Sequence, residues 1–250
     1  MIQIIKGNAP EELAKQNIAL LNSMKMDFES NKNDYLNGIK KFTFTAAYRT
    51  EEVKITLITC QNNKCCFSEA KFVGDYSNVE HFRPKGRVDT WPDGGIEYPG
   101  YYWLAYDWSN LFLCKSRINS SDKRNFFPVT NNRNRTHYDT NIEKNLLIDV
   151  NLEDPRKHIK FINEEPYPVD ERGLFNITFF QLRHSEFDEA RRTKFNLLKA
   201  LKDLIDIGIS QGHNKAIYAD QIKLLREAMS PKSEFSSMAI DFLSEWPHLE

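Results

Sequence analysis

Asn-Val-Glu-His-Phe-Arg-Pro-Lys (78–85) opens the stretch on which the reading of this chain turns. Tyr-Tyr-Trp-Leu-Ala-Tyr-Asp-Trp-Ser-Asn-Leu-Phe-Leu-Cys (101–114) continues it, and Arg-Ile-Asn-Ser-Ser-Asp-Lys (117–123) with Phe-Phe-Pro-Val (126–129) closes it. Glu80 and His81 are adjacent, and neighbouring side chains on a strand point to opposite faces. They can serve one site only where the strand bends or ends. Asn110 lies 29 residues beyond His81, just before the apolar run Leu111-Phe112-Leu113, and Asn119 lies nine residues further. A carboxylate, an imidazole and two amide oxygens supply what phosphodiester hydrolysis requires: a base for water, and ligands for a hard cation on the phosphate. Amide and carboxylate oxygens suit Mg²⁺ or Mn²⁺ better than Zn²⁺. Asp-Trp-Ser-Asn is also good turn chemistry, and Asn119 could equally cap a helix.

The ordered series Glu-His…Asn…Asn resembles the HNH, or ββα-metal, nucleases. The wording Val-Glu-His-Phe-Arg-Pro-Lys, then Tyr-Trp-Leu-Ala-Tyr-Asp-Trp-Ser-Asn-Leu, then Asn-x-x-x-Lys and Phe-Pro-Val is similar to one subgroup, the PtuB-like HNH proteins of Septu and retron anti-phage systems. That resemblance covers roughly residues 1–245 and is specific in 79–129. It implies Glu80 as the acidic metal ligand, His81 as the general base, Asn110 as the residue that orients His81, and Asn119 as the second metal ligand. Lys123 or Arg124 could neutralise charge developing on the phosphate. It also implies a PtuA-like ATPase partner, and a retron reverse transcriptase with its small DNA as a further one.

HNH proteins of this kind often carry two Cys-x-x-Cys knuckles around a structural zinc. The corresponding segments here read Cys65-Cys66-Phe67-Ser68 and Cys114-Lys115-Ser116-Arg117. Each keeps its first cysteine and has lost its second. A closed tetrahedral site needs four ligands. Cys65 and Cys114 are therefore remnants, Cys66 is a conceivable third ligand, and a structural zinc is not expected. Packing around Phe67, Phe72, Leu113 and Ile118 is expected to replace it.

With 40% hydrophobic and 28% charged residues among 250, the composition is that of an ordinary globular protein, and the net charge of −1 gives no global nucleic-acid signature. Locally there is one. Between 115 and 135 stand Lys115, Arg117, Lys123, Arg124, Arg133 and Arg135 against the single acid Asp122, and Arg83, Lys85 and Arg87 add to them. A basic patch beside a hydrolytic site suits a phosphate backbone, and DNA is the expected substrate; a solvated charged surface is the plainer alternative. Four cysteines without a signal sequence suggest a reducing compartment, and the resemblance implies a bacterial cytoplasm. No apolar run reaches the ~20 residues that span a bilayer.

The expected class is α+β: a small ββα-metal core in a mainly helical chain with helices at both ends. Four segments are expected: helical support over 1–60, the nuclease core over 61–130, a mixed strand and loop extension over 131–184, and a helical subdomain over 185–250. Asn8 before Ala-Pro-Glu-Glu reads as a helix cap, and 31–34 as a break. Thr50-Glu-Glu starts a helix to about Cys60, although Ile55–Thr59 could be a strand. Val79–Phe82 and Asn110–Cys114 read as strands, 86–100 as a turn-rich loop, and 117–124 as the crossing helix. Further strands are expected at 145–150, 158–163 and 173–180, then helices from about Ser185 to Ile209, from about Ile217 to Met229, and beyond Ser233. The aromatic cluster Tyr101, Tyr102, Trp103, Tyr106 and Trp108 reads as core before base-stacking platform, and His158 as structural. A metal-dependent endonuclease is the first reading; a nuclease-like module that binds nucleic acid or an ATPase without cutting is the second.

Overall fold

The computed structural model describes residues 1–74 and 77–249. The chain forms two compact units: residues 4–66 with 72–153, and residues 154–250 with 1–3 and 67–71.

In the first unit, α1 (Glu11–Ser30) begins at Pro10 and not at Asn8. Proline presets the backbone angle of a first turn, and Glu11 and Glu12 favour the positive end of the helix. The helix breaks at Asn31, and the chain at once resumes as α2 (Lys32–Leu36), where the sequence suggested only a break. The Thr50 hydroxyl accepts from the Val53 amide and starts α3 (Glu51–Cys60), so Ile55–Thr59 is helical. β1 (Ser77–His81) pairs antiparallel with β4 (Leu111–Lys115), with Glu80 opposite Phe112 and His81 opposite Leu111. Leu111 to Cys114 are all fully buried, which explains an unbroken apolar run in place of alternation. The expected loop over 86–100 contains a short hairpin, β2 (Val88–Asp89) against β3 (Ile96–Glu97). After β4 the chain winds one π-helical turn, Ile118–Lys123. Residues 145–150 form no strand; only Asn145 bridges to Val129.

Leu13, Phe28, Tyr35, Leu57, Tyr102, Tyr106, Leu111 and Leu113 share one core. Tyr101 and Tyr102 are 1% exposed and Tyr106 2%, so the tyrosines are core residues. Phe28 stacks on Tyr102 with ring centroids 5.3 Å apart. Phe72, expected in the packing around the cysteines, is only half-buried, while Leu113 and Ile118 are fully buried.

In the second unit β5 (Ile159–Ile162) pairs with β6 (Glu165–Pro168). Residues 173–180, expected as a strand, lie in α4 (Glu171–Phe179). Gly173, Asn176, Ile177 and Phe180 are buried at helical spacing, and the Asp170 carboxylate caps the helix by accepting from the Gly173 amide. A Cβ on Gly173 would lie 1.9 Å from the His158 carbonyl oxygen, so glycine permits that contact. His158 Nδ1 lies 2.6 Å from Asp170. α5 (Ser185–Ser210), α6 (Ala219–Met229) and α7 (Ser236–Leu243) complete the unit. α7 starts at Ser236, beyond the expected Ser233 cap, after Phe235 in a left-handed conformation. Phe67 stacks on Phe180 at 4.0 Å.

Replacing Phe28 by Ala should lower the unfolding free energy of the chain by about 3–5 kcal/mol. A urea titration followed by circular dichroism measures this; a loss below ~1 kcal/mol contradicts the role given to Phe28.

Candidate active site

β1 ends at His81, and the side chains of Glu80 and His81 line one cavity of about 290 Å³. Val79, Pro84, Lys85, Asn119, Ser120, Arg124 and Asn125 complete its walls. Glu80 and His81 are each 6% exposed. The His81 Nε2 lies 2.9 Å from the Ala105 carbonyl oxygen, which can only accept. Nε2 therefore carries the proton, and the lone pair sits on Nδ1, 3.3 Å from the Lys85 ammonium. Burial, and then the charge of Lys85, pull the His81 pKa down to about 3, so the ring is neutral near neutral pH. Tyr48 packs edge-on against the imidazole at 4.6 Å, and Lys85 lies 4.4 Å over the Tyr48 ring.

Lys123 is fully buried behind the cavity. Its Nζ lies 2.6 Å from Glu80 Oε1 and donates to the His81 carbonyl at 2.9 Å. Burial pushes the Glu80 carboxyl up, and Lys123 opposes that shift. Lys123 thus holds the end of β1 from within. Glu80 and Asn119 line the same cavity, and a carboxylate with an amide oxygen is a donor pair that could hold a hard cation.

Asn110 does not line the cavity. Its Oδ1 accepts from the Arg83 amide at 2.7 Å, and its Nδ2 donates to the carbonyls of Arg83 and Leu104 at 3.0 and 3.1 Å. One buried amide therefore ties the segment after His81 to the segment that carries Ala105. The Lys6 ammonium secures the same turn by donating to the carbonyls of Trp108, Ser109 and Leu111, at 2.8, 3.1 and 2.5 Å. Lys6 and Tyr48 escaped the sequence reading, since both come from outside the motif and neither spacing nor composition singles them out.

The basic residues divide. Lys85 and Arg124 line the cavity. Arg83 pairs with Glu143 at 3.2 Å and Asp149 at 3.8 Å, Arg117 with Asp122 at 3.4 Å, and Arg133 with Glu97 at 2.7 Å. Arg135 donates to the carbonyls of Tyr98 and Leu36. The Lys115 amide lies 3.5 Å from Cys65 Sγ.

The cysteines come together as three, not two. Gln61 donates to the Lys64 and Leu113 carbonyls and accepts from the Leu113 amide at 2.7 Å. The Cys66 amide donates to the same Leu113 carbonyl at 3.1 Å. This clamp sets Cys65 and Cys66 beside Cys114, with all three Sγ atoms within 4.8 Å of one another and all three residues buried. The cluster could hold a metal ion. Burial pushes the Cys66 and Cys114 thiols up, so a metal would have to displace protons to bind.

Asn110→Asp should cost about 2–3 kcal/mol in a denaturant titration, because the carboxylate faces two carbonyl oxygens it cannot donate to; an unchanged midpoint refutes the clamp. Reduced protein titrated with Co²⁺ should show thiolate-to-cobalt charge-transfer absorption that Cys66→Ser weakens; identical spectra for the two proteins exclude Cys66 as a ligand.

No protein-family model matches the chain. A Septu protein PtuB of Bacillus mycoides (strain KBAB4) is 32% identical over 224 residues, covering 84% of this chain and 76% of that protein. At that identity over most of both lengths, the chain belongs to the PtuB family of Septu proteins.

Proposed function

We propose that the chain is a metal-dependent HNH endonuclease that hydrolyses DNA phosphodiester bonds as the effector of an anti-phage defence system, working with a PtuA-like ATPase. The observation that carries this reading is the tautomer of His81. The Ala105 carbonyl holds the proton on Nε2, so Nδ1, to which the Lys85 ammonium donates at 3.3 Å, is the nitrogen that would accept a proton, and His81 lines the same cavity as Glu80 and Asn119. A neutral imidazole with a fixed lone pair is what a general base needs. The order of strand β1, strand β4 and helical turn agrees with a small ββα core.

In this reading Glu80 and Asn119 hold a Mg²⁺ or Mn²⁺ ion, which when bound supplies positive charge at the scissile phosphate. His81 Nδ1 takes the proton from the attacking water. Asn110 and Lys6 keep the imidazole and its carbonyl partner in register. Lys85 and Arg124 face the cavity and stabilise the phosphate oxygens as charge builds on them. Kinship with a Septu protein supports the defence role and the ATPase partner; among the described residues no helix is long and apolar enough to cross a membrane.

A second reading has one observation in its favour. Lys123 already occupies Glu80 at 2.6 Å, as it would in a catalytically inactive module that grips nucleic acid or the ATPase.

Supercoiled plasmid incubated with Mg²⁺ or Mn²⁺, with and without a PtuA-like ATPase, separates the two. Nicking or linearisation should appear and should fall by at least ~10²-fold in His81→Ala, the usual contribution of a general base. Absence of cleavage in every lane, with plasmid binding retained, establishes the inactive module.

A further inference from the structure

A second cavity, of about 360 Å³, opens beside the hairpin β2–β3. One wall is Trp91 and Glu97; the other is the segment from Phe127 to Arg135, including Asn132, Arg133 and Arg135. It adjoins the first cavity through the chain itself. Asn125 lines the first, Phe127 lines the second, and Asp89 bridges to Phe126 between them, its amide bonded to the Asn125 carbonyl at 3.0 Å.

The chemistry of this cavity is specific. The indole of Trp91 is 48% exposed and stands edge-on to Phe126 at 5.5 Å. The Arg133 side chain is only 4% exposed. Its Nε pairs with Glu97 and its Nη1 donates to the Asn134 carbonyl, but its buried Nη2 makes no hydrogen bond. The guanidinium also lies 5.4 Å over the Tyr101 ring, so Arg133 is fixed within the wall. Among the described residues no carboxylate pairs with the Arg135 guanidinium, which donates only to carbonyls. With Glu97 matched to Arg133, the walls keep one positive charge in excess.

We propose that this cavity binds one nucleotide unit, with a base against the Trp91 ring, an acceptor edge toward Asn132, and phosphate drawn by the excess charge. An aromatic face gives stacking to any base, while the donors favour acceptor-bearing rings. The volume lies at the small end of ligand cavities and suits one base with its sugar. The nucleotide can come from a strand that runs on into the first cavity, or free from solution. The strand source rests on reading the first cavity as a phosphodiesterase site; the cavity's own chemistry does not.

The test uses the full chain in EDTA, so that cleavage plays no part. A short fluorescein-labelled oligodeoxythymidine is titrated by anisotropy, and thymidine monophosphate by quenching of tryptophan fluorescence. Trp91→Ala should weaken oligonucleotide binding about tenfold, the size of one lost stacking contact, and abolish the quenching component; Asn132→Ala should weaken it less, with thermal unfolding unchanged in both. Binding by the oligonucleotide alone identifies a strand nucleotide, and comparable binding of the monophosphate identifies a free one. Wild-type affinity in both variants, or no binding of either ligand to wild type, overturns the proposal and leaves the nuclease reading to the plasmid assay. Trp91-dependent binding with no plasmid cleavage overturns the nuclease reading alone.

Discussion

A lysine with no exposed surface sits behind the candidate site, and its charge must be answered where it stands. Lys123 meets that demand with the Glu80 carboxylate and the His81 carbonyl. A buried charge left unpaired costs several kcal/mol, roughly, whereas a well-matched pair is close to neutral. Lys123 thereby ties the Glu80 side chain and the His81 carbonyl together at the end of β1. The end of the strand lets two adjacent residues line one cavity. Everything else in the site is arranged against it, with Asn110 fixing the backbone at Arg83 and Ala105 fixing the ring.

Much of this was legible in the sequence because it is local. Val79 to His81 and Leu111 to Cys114 have the composition of strands, and Thr50-Glu-Glu has the chemistry of a helix start. The motif's order singled out Asn110, but its three hydrogen bonds run to segments 6 and 27 residues away, which no spacing encodes. The same limit explains the errors. Residues 173–180 carry phenylalanines and isoleucine that favour strands by type, but the Asp170 cap and the His158 carbonyl against Gly173 decided for helix. The 86–100 segment read as loop because its strands are two residues long. Cys66 joined the thiols through the Gln61 clamp, a contact that depends on β4 already being in place.

Charge was the least legible property. A count of basic residues between 115 and 135 suggested a single surface, but guanidinium groups carry out internal work as readily as external. Arg83, Arg117 and Arg133 each meet a carboxylate, and Arg135 meets backbone carbonyls across the fold. Lys85 and Arg124 are the ones that border the cavity. Residue type does not decide between the two: Lys123 is fully buried in internal bridging, while Arg124 borders the cavity.

The Gln61 clamp has a consequence of another kind. A sheet of two strands has two outer edges, and an uncovered edge invites pairing with a strand of another molecule. On the side of β4 away from β1, the Leu113 amide and carbonyl are both engaged, the one by the Gln61 side chain and the other by Gln61 and the Cys66 amide. A single glutamine stands in for a third strand. The Leu113 amide and carbonyl, through which this apolar strand could pair with another molecule, are thereby already engaged.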